Sequence, residues 1–423
     1  MPHSLQIIAS NVDPSLLDLP WEIPLEEWPD DILAALPRGI SRHIVRFVNL
    51  SGRVIAVKEI GESVARHEYE LLKDLSRLTA PSVQPTAVVT GRRDSHGEEL
   101  NGVLVTEHLR FSLPYRALFR QDMTPQTAKR LIDALAVLLV RLHLLGFYWG
   151  DVSLSNTLFR RDAGAFSAYL VDAETGELHP KLTEGQRDYD VELARVNIIG
   201  ELMDLQAGGY MGEDEDVVDI GNRIHERYWQ LWDELTAAQV IDADQRWKVS
   251  ERIARLNALG FSVGELTMNA EGTDLIIQPK VVDAGHYHRQ IMRLTGMDVG
   301  EAQAQRMLDD LETYRALEGL KGQPIEVAAH QWLQNVFQPS IDAIPPELMK
   351  KLEAAQVFHE ILDHRWFLAK ERQGDVPHAE AVQSYIDNVL RKKQDEAVFL
   401  DLDPLEPAEE DDAVPSNDEI EEQ

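Results

Sequence analysis

The 423-residue sequence predicts an α+β fold in two parts, and three observations carry that prediction. Past an arm of about 30 residues, the first hundred residues are mostly strand-like, with runs that alternate apolar and polar positions, apart from one helical stretch. From Thr124 onward the spacing turns helical. Past about residue 245 the order restarts, with a second hairpin followed by a series of helices.

Residues 1–30 carry Pro and Trp without periodicity and read as an irregular arm. His43 to Leu50 alternates around Ile44, Phe47 and Val48. Ser51-Gly52-Arg53 turns the chain, and Val54 to Ile60 alternates again. Glu62 to Leu78 sets Leu71, Leu72, Leu75 and Leu78 on one helical stripe. Ala87 to Thr90 and Val103 to Glu107 are two more strand-like runs. Thr124-Pro125, an N-cap followed by Pro at the first helical position, opens a helix that runs to Gly146. Asp190 to Leu205 and Asp216 to Ala237 are the next helices. The second hairpin joins Phe261–Met268 to Asp274–Val282 around Asn269-Ala270-Glu271-Gly272. Helices are then expected over His286–Leu294, Gly300–Leu317, Ile325–Phe337, Pro346–Ala369 and His378–Lys393, with Trp332 and Trp366 as core anchors.

Net charge is −32, with a pI near 4.7. Part of it is local: Asp401 to Gln423 holds eleven carboxylates and no Lys or Arg. With Pro404, Pro407 and Pro415, that run reads as a solvated, disordered tail over residues 397–423. The remainder is still acidic and would repel a phosphate polymer, which argues against nucleic-acid binding. The absence of cysteine excludes disulfides, thiolate metal sites and Cys nucleophiles, and fits a cytosolic protein. Residues 1–20 lack the basic and apolar regions of a signal peptide. The most apolar stretch, Leu131 to Phe147, is interrupted by Asp133, Arg141 and His143, too short and too charged to cross a bilayer. A cytoplasmic protein without a membrane span is the expectation.

Transfer of a phosphoryl group from ATP needs cations on the phosphates, ligands for those cations and an acceptor for the hydroxyl proton. The sequence offers candidates in a consistent order. Lys58 ends Ile55-Ala56-Val57-Lys58 on an inner strand, where it would contact the α- and β-phosphates. Glu68 in the following helix would pair with it, with Glu70 as the alternative. Asp151 and Asn156 in Gly150-Asp151-Val152-Ser153-Leu154-Ser155-Asn156 have the D-x-x-x-x-N spacing of a base and a metal ligand on one loop. Asp172 ends the apolar strand Tyr169-Leu170-Val171 and suits a second metal contact, with Glu174 assisting. Ile198 to Leu202, downstream of Asp190-Val191, looks like a buried helix bracing that loop. Each residue alone has an ordinary structural explanation; their joint order carries the reading.

These residues resemble the lipopolysaccharide-kinase group of the protein-kinase-like superfamily, which also includes aminoglycoside and choline kinases. Leu142-His143 with Gly146, then Gly150-Asp151 and Asn156, is the specific part, and Asp172-Ala173-Glu174 is similar to the D-F-E or D-W-E of small-molecule kinases. The resemblance implies a bilobal domain, with a small β-rich lobe over 31–108 and a helical lobe over 109–244. It implies ATP and Mg²⁺ as cofactors and a small-molecule or glycosidic hydroxyl as acceptor. Gly39 and Ser41 in Arg38-Gly39-Ile40-Ser41-Arg42 would cover the phosphates, and Glu107 and Leu109 complete the nucleotide-contacting set. Residues 245–396 resemble a mainly helical domain of unknown function that accompanies such kinases in high-GC Gram-positive bacteria.

Three departures leave a second reading open, a pseudokinase whose nucleotide site regulates the C-terminal part or a protein partner. Trp149 replaces the His of H-G-D, so a bracing hydrogen bond is lost or replaced by stacking. Ser153 stands where protein-serine kinases carry a Lys on the γ-phosphate. The phosphate-covering loop has a single glycine. Elsewhere, His359 and His364 are five apart and miss the i, i+4 spacing of a zinc helix; His359 and Asp363 share a face instead. Pro279 to Arg293, dense in His, Lys and Arg, reads first as an interdomain contact and second as an anion site at a helix N-terminus.

Overall fold

The computed structural model describes residues 5–10, 13–34, 43–119, 125–242, 245, 247–271 and 274–393. Gly39, Ser41, the Thr124 cap, the tip of the second hairpin at Gly272 and the tail over 397–423 lie outside the described residues.

Five antiparallel strands open the fold: β1 (Gln6–Ala9), β2 (Ile44–Leu50), β3 (Arg53–Ile60), β4 (Pro85–Thr90) and β5 (Gly102–Glu107), with helix α1 (Glu62–Arg77) between β3 and β4. Their order is β1-β4-β5-β3-β2, which puts β3 inside the sheet between β2 and β5. Alternation decides what each face does. Ile55 and Val57 of β3 point to one face with Val89, Val103 and Val105, while Lys58 lies on the other, toward α1.

The arm over 1–30 is not irregular throughout, which corrects the sequence expectation. Gln6–Ala9 pairs with Ala87–Thr90 as an edge strand. Leu16, Trp21, Leu25 and Trp28 close the outer face of the sheet. The indoles donate to main-chain carbonyls, Trp21 to Leu16 O at 2.7 Å and Trp28 to Ile23 O at 3.0 Å. Such residues fill a sheet face one at a time, so no helical or strand period marks them.

The helical part contains β6 (Ser112–Pro114), α2 (Tyr115–Phe119), α3 (Pro125–Leu144), β7 (Phe147–Tyr148), β8 (Thr157–Asp162), β9 (Ala165–Leu170), β10 (Glu177–Leu178), α4 (Glu184–Ala207) and α5 (Val217–Thr236). Helix α4 starts six residues before its predicted beginning because Thr183 and Gln186 form a capping box. Beyond it come β11 (Gln239–Asp242), α6 (Trp247–Ala258), β12 (Phe261–Glu271) and β13 (Asp274–Ala284), the strands forming a sheet ordered β11-β13-β12. Leu256 and Phe261 are buried in the same core as α3, α4 and α5. A boundary near residue 245 therefore cuts through packed side chains.

A second core gathers Ile291 to Leu390 around Trp332, Phe337 and Phe358. It is built from α7 (His286–Thr295), α8 (Glu301–Leu317), α9 (Ile325–Trp332), α10 (Gln338–Asp342), α11 (Ala354–Arg372) and α12 (His378–Asn388). Two predicted spans differ. The helix from Ile325 passes through a π turn at Leu333–Phe337 into α10, and Pro346–Ala369 divides into a 3-10 turn, Pro346–Leu348, and α11. Trp332 is a core anchor, but Trp366 is 55% exposed beside Phe367 and anchors nothing in the core. The two cores are joined through β8. Asp162 accepts Ala302 N at 3.1 Å and Gln303 N at 2.7 Å at the start of α8, and Arg160 pairs with Glu353. Among the described residues no helix is long and apolar enough to cross a membrane.

Candidate active site

Two strands and one helix bring the first four groups together. Lys58 points from the inner face of β3 toward α1 and meets Glu68 at 3.1 Å, Asp172 at 2.9 Å and Glu174 at 3.4 Å. The open choice between Glu68 and Glu70 is settled by helix phase: Glu68 faces the core and is fully buried, whereas Glu70 faces solvent and pairs with Lys73. The second Glu68 oxygen accepts Ala173 N at 3.1 Å, so one carboxylate ties β3 to the Asp172-Ala173-Glu174 segment.

Charge is unbalanced here, with three carboxylates around one ammonium. Burial opposes the charged form of Lys58, but Glu68, Asp172 and Glu174 outweigh it and raise its pKa. Burial pushes the Glu68 carboxyl up to about 7, with Asp172 adding to the rise and Lys58 and Ala173 N opposing it. Glu68, Asp172 and Glu174 place one oxygen each within 4.8 Å of one another. Hard carboxylate oxygens at such spacing suit Mg²⁺, so the residues present fit that ion. The sequence set was Asn156, Asp172 and Glu174; the structure adds Glu68 to the acids and turns the Asn156 amide toward Asp151. His43, at the start of β2, also reaches Glu174, at 3.1 Å, a contact no spacing rule signalled.

The loop bearing Asp151 is held from beneath. Helix α3 ends at Leu144; Gly146, at φ 84°, returns the chain into β7, and Gly150, at φ 75°, turns it into Asp151. Asp190 is fully buried in α4 and accepts Trp149 N and Gly150 N, both at 2.8 Å. His143 Nε2 stands 3.1 Å from Asp190, and Tyr228 OH is 2.7 Å from His143 Nδ1. Burial lowers the His143 pKa against the pull of Asp190, so the ring is neutral, donates from Nε2 and accepts from tyrosine. Eleven residues along α4, about three turns and so the same face, Glu201 accepts Leu154 N and Ser155 N at 2.8 Å each. Glu201 was missed as a positioning residue, although an acid between Ile198, Leu202 and Leu205 was the available signal.

Asn156 Nδ2 donates to Asp151 Oδ2 at 2.9 Å and to Asp151 O at 3.0 Å. Pairing of Thr157 with Leu170 in the β8–β9 ribbon, and the bond from Val171 N to Asn156 O at 3.2 Å, set this loop beside Asp172.

 That main-chain bond joins the end of the loop to the residue preceding Asp172. Two departures take on a structural meaning. Trp149 is fully buried and its indole N–H donates to Asp172 O at 2.9 Å, so a hydrogen bond, and not stacking, replaces the missing imidazole. Ser153 turns inward, where its hydroxyl accepts Asn156 N at 3.1 Å. Glu107 and Leu109 lie at the end of β5 and just after it; Glu107 N donates to Gln84 O, and its exposed side chain pairs with Arg53.

Two parts of the chain match protein-family models. Residues 50–199 match the family model described as the lipopolysaccharide kinase (Kdo/WaaP) family. This part of the chain is kinase-like. Residues 230–390 match the model described as a domain of unknown function, DUF4032, a match that begins inside α5. Among solved structures, WaaP in complex with acyl carrier protein aligns at 15% identity over 53% of this chain and 89% of that one, with a TM-score of 0.35, too slight a likeness to bear on function. No curated protein matches the chain.

The other motifs are occupied structurally. His359 pairs with Asp363 at 3.2 Å along one face of α11. At the start of α7, Tyr287 N and His288 N donate to Glu301 at 2.7 and 2.9 Å, so that helix N-terminus already holds a carboxylate.

Proposed function

We propose that the protein is an ATP- and Mg²⁺-dependent phosphotransferase acting on a hydroxyl of a small or glycosidic acceptor. The observation that carries this reading is the meeting of Lys58, Glu68, Asp172 and Glu174 beside a loop that presents Asp151 and Asn156. Lys58, held in its charged form by its acidic neighbours, would neutralise the α- and β-phosphates. Glu68 would keep Lys58 aimed at them. Asp172 and Glu174, with the amide oxygen of Asn156, would hold Mg²⁺, which supplies charge neutralisation on the transferred phosphoryl group.

Asp151 would take the hydroxyl proton as the acceptor oxygen bonds to the γ-phosphorus and the bond from that phosphorus to the β-phosphate oxygen breaks. Asn156 orients the Asp151 carboxylate through its amide N–H. Asp190, Glu201 and Trp149 fix the loop by main-chain hydrogen bonds, a preorganisation that lowers the cost of reaching the reactive geometry. The Asp172-Ala173-Glu174 triplet favours a small acceptor over a protein, as in the small-molecule kinases it resembles.

The test is phosphoryl transfer, read as ADP release, by the full chain and two variants. Asp151→Asn is expected to reduce turnover by about 10²- to 10⁴-fold with nucleotide affinity retained. Asp172→Ala is expected to lose Mg²⁺-dependent ATP binding. Equal ATP·Mg²⁺ affinity in Asp172→Ala and the unaltered chain would refute the metal assignment. The pseudokinase reading rests on Ser153, which is spent on the loop and supplies no cation. It predicts nucleotide-dependent thermal stabilisation without turnover, and an ADP-release rate abolished by Asp151→Asn excludes it.

A further inference from the structure

A cleft of about 600 Å³ lies away from the Lys58 cluster, where α3, β9 and the start of α7 face one another. Its walls carry both apolar side chains and charges, and the charges differ in how they are used. Three of its four acids are committed; the fourth, Asp298, is exposed and reaches only His288 among the described residues, at 3.7 Å. Asp162 accepts Ser167 Oγ, Ala302 N and Gln303 N. Asp133 accepts two donors of Arg223, at 2.9 and 2.7 Å. Glu301 accepts the two main-chain N–H groups at the start of α7.

The cations are not committed to the same degree. Arg141, half-buried on α3, has no hydrogen-bond partner among the described residues. A guanidinium carries five N–H donors, and those of Arg141, met by no acceptor among the described residues, stay open to the cleft. Arg289, on α7, donates to Ala284 O and to Ser262 Oγ, the latter at 3.1 Å, and keeps further donors. A Cβ placed on Gly285 would stand 3.6 Å from Arg289 Nη1 and 3.9 Å from Arg141 Nη2, so the two like charges flank a single glycine. Burial and the Arg289 charge both lower the Arg141 pKa, against the pull of Tyr169, Glu301 and Asp162. Two guanidiniums converging on one cleft, beside carboxylates already used, make a receptor for an oxyanion. Val137, Phe166 and Phe261 supply an apolar wall for the rest of such a ligand.

We propose that this cleft binds a small organic anion, a carboxylate or a phosphate ester, clamped between Arg141 and Arg289. The site joins the kinase-like part to the region after residue 245, and Tyr169 in its wall lies three residues before Asp172. It does not depend on the phosphotransferase reading.

Calorimetric titration of the full chain, without nucleotide or Mg²⁺, tests it with inorganic phosphate and citrate as separate probes. At least one probe is expected to bind at one site per chain. Arg141→Gln and Arg289→Gln should each weaken that binding about tenfold or more, and Lys58→Met should leave it unchanged. A preference for citrate identifies a carboxylate ligand, and a preference for phosphate a phosphorylated one. Arg289 is exposed, so its variant keeps the fold and decides the matter even if Arg141→Gln destabilises the protein. Binding lost in Lys58→Met but kept in Arg289→Gln would overturn the proposal. So would failure of the unaltered chain to bind either probe at about 10 mM.

Discussion

Asp190 and Glu68 are both fully buried acids within the kinase-like part, and their surroundings are opposite. Asp190 sits among donors: two main-chain N–H groups and an imidazole, with no competing carboxylate in hydrogen-bond contact among the described residues. Glu68 shares one ammonium with Asp172 and Glu174, so negative charge exceeds positive. A buried acid with its lone pairs met by donors is a structural element. Acids crowded around too few donors store an unmet demand for cations, and that demand is what a metal–nucleotide complex would satisfy. The contrast separates scaffold from site more sharply than burial alone.

The largest effect is expected where the scaffold acid is removed. Asp190→Ala leaves Trp149 N, Gly150 N and His143 buried without their acceptor, and should cost about 3–5 kcal/mol, read as a lowered urea midpoint. A loss under about 1 kcal/mol would erase the distinction drawn here.

Next is a pH effect confined to the crowded acid. The folded chain holds the Glu68 proton up to about 7, against an ordinary 4.5, so between those values it binds more protons than the unfolded chain does. Stability contributed by this group is therefore present at low pH and lost as pH rises through that window. Glu68→Gln should flatten that part of the stability profile. Mg²⁺ held by Asp172 and Glu174 would favour the charged form of Glu68 beside it, so Mg²⁺ affinity of the unaltered chain, measured by titration, should rise up to about tenfold between about pH 6 and pH 8. An unchanged slope in Glu68→Gln would assign the titration to another group.

The smallest effect tests the indole substitute for the missing imidazole. Trp149→Phe keeps the ring buried but removes the N–H bond to Asp172 O, at a cost of about 1 kcal/mol in thermal unfolding. Because that bond supports the strand end proposed to hold the metal, Mg²⁺ affinity should fall as well, which loss of packing alone would not predict.

Much of the site was legible in the sequence because its spacing rules are local. Lys58 follows from strand alternation, and Asp151 and Asn156 from a five-residue interval within one loop. Glu68 over Glu70 was not legible, since that choice rests on where α1 meets the sheet. Nor was the role of Trp149, because its partner Asp172 is 23 positions away. In the fold, β8 and α6 were not legible, and of β9 only its end, Tyr169-Leu170, reads as a strand. Strand β8 is short and half-polar, and α6 follows the preceding helix too closely for a break to stand out. Trp21 and Trp28 were placed in an arm because single residues filling a sheet face leave no period.

Leu256 and Phe261 set a limit on how this protein can be dissected. Both lie beyond the end expected for a kinase-like domain, yet both plug the core formed by α3, α4 and α5. A chain stopped at residue 245 would open holes where two large side chains now sit, each costing about 2–5 kcal/mol, comparable to the whole margin of a small domain. The shortest kinase-like fragment worth purifying is thus one that runs through the second hairpin, to about Ala284.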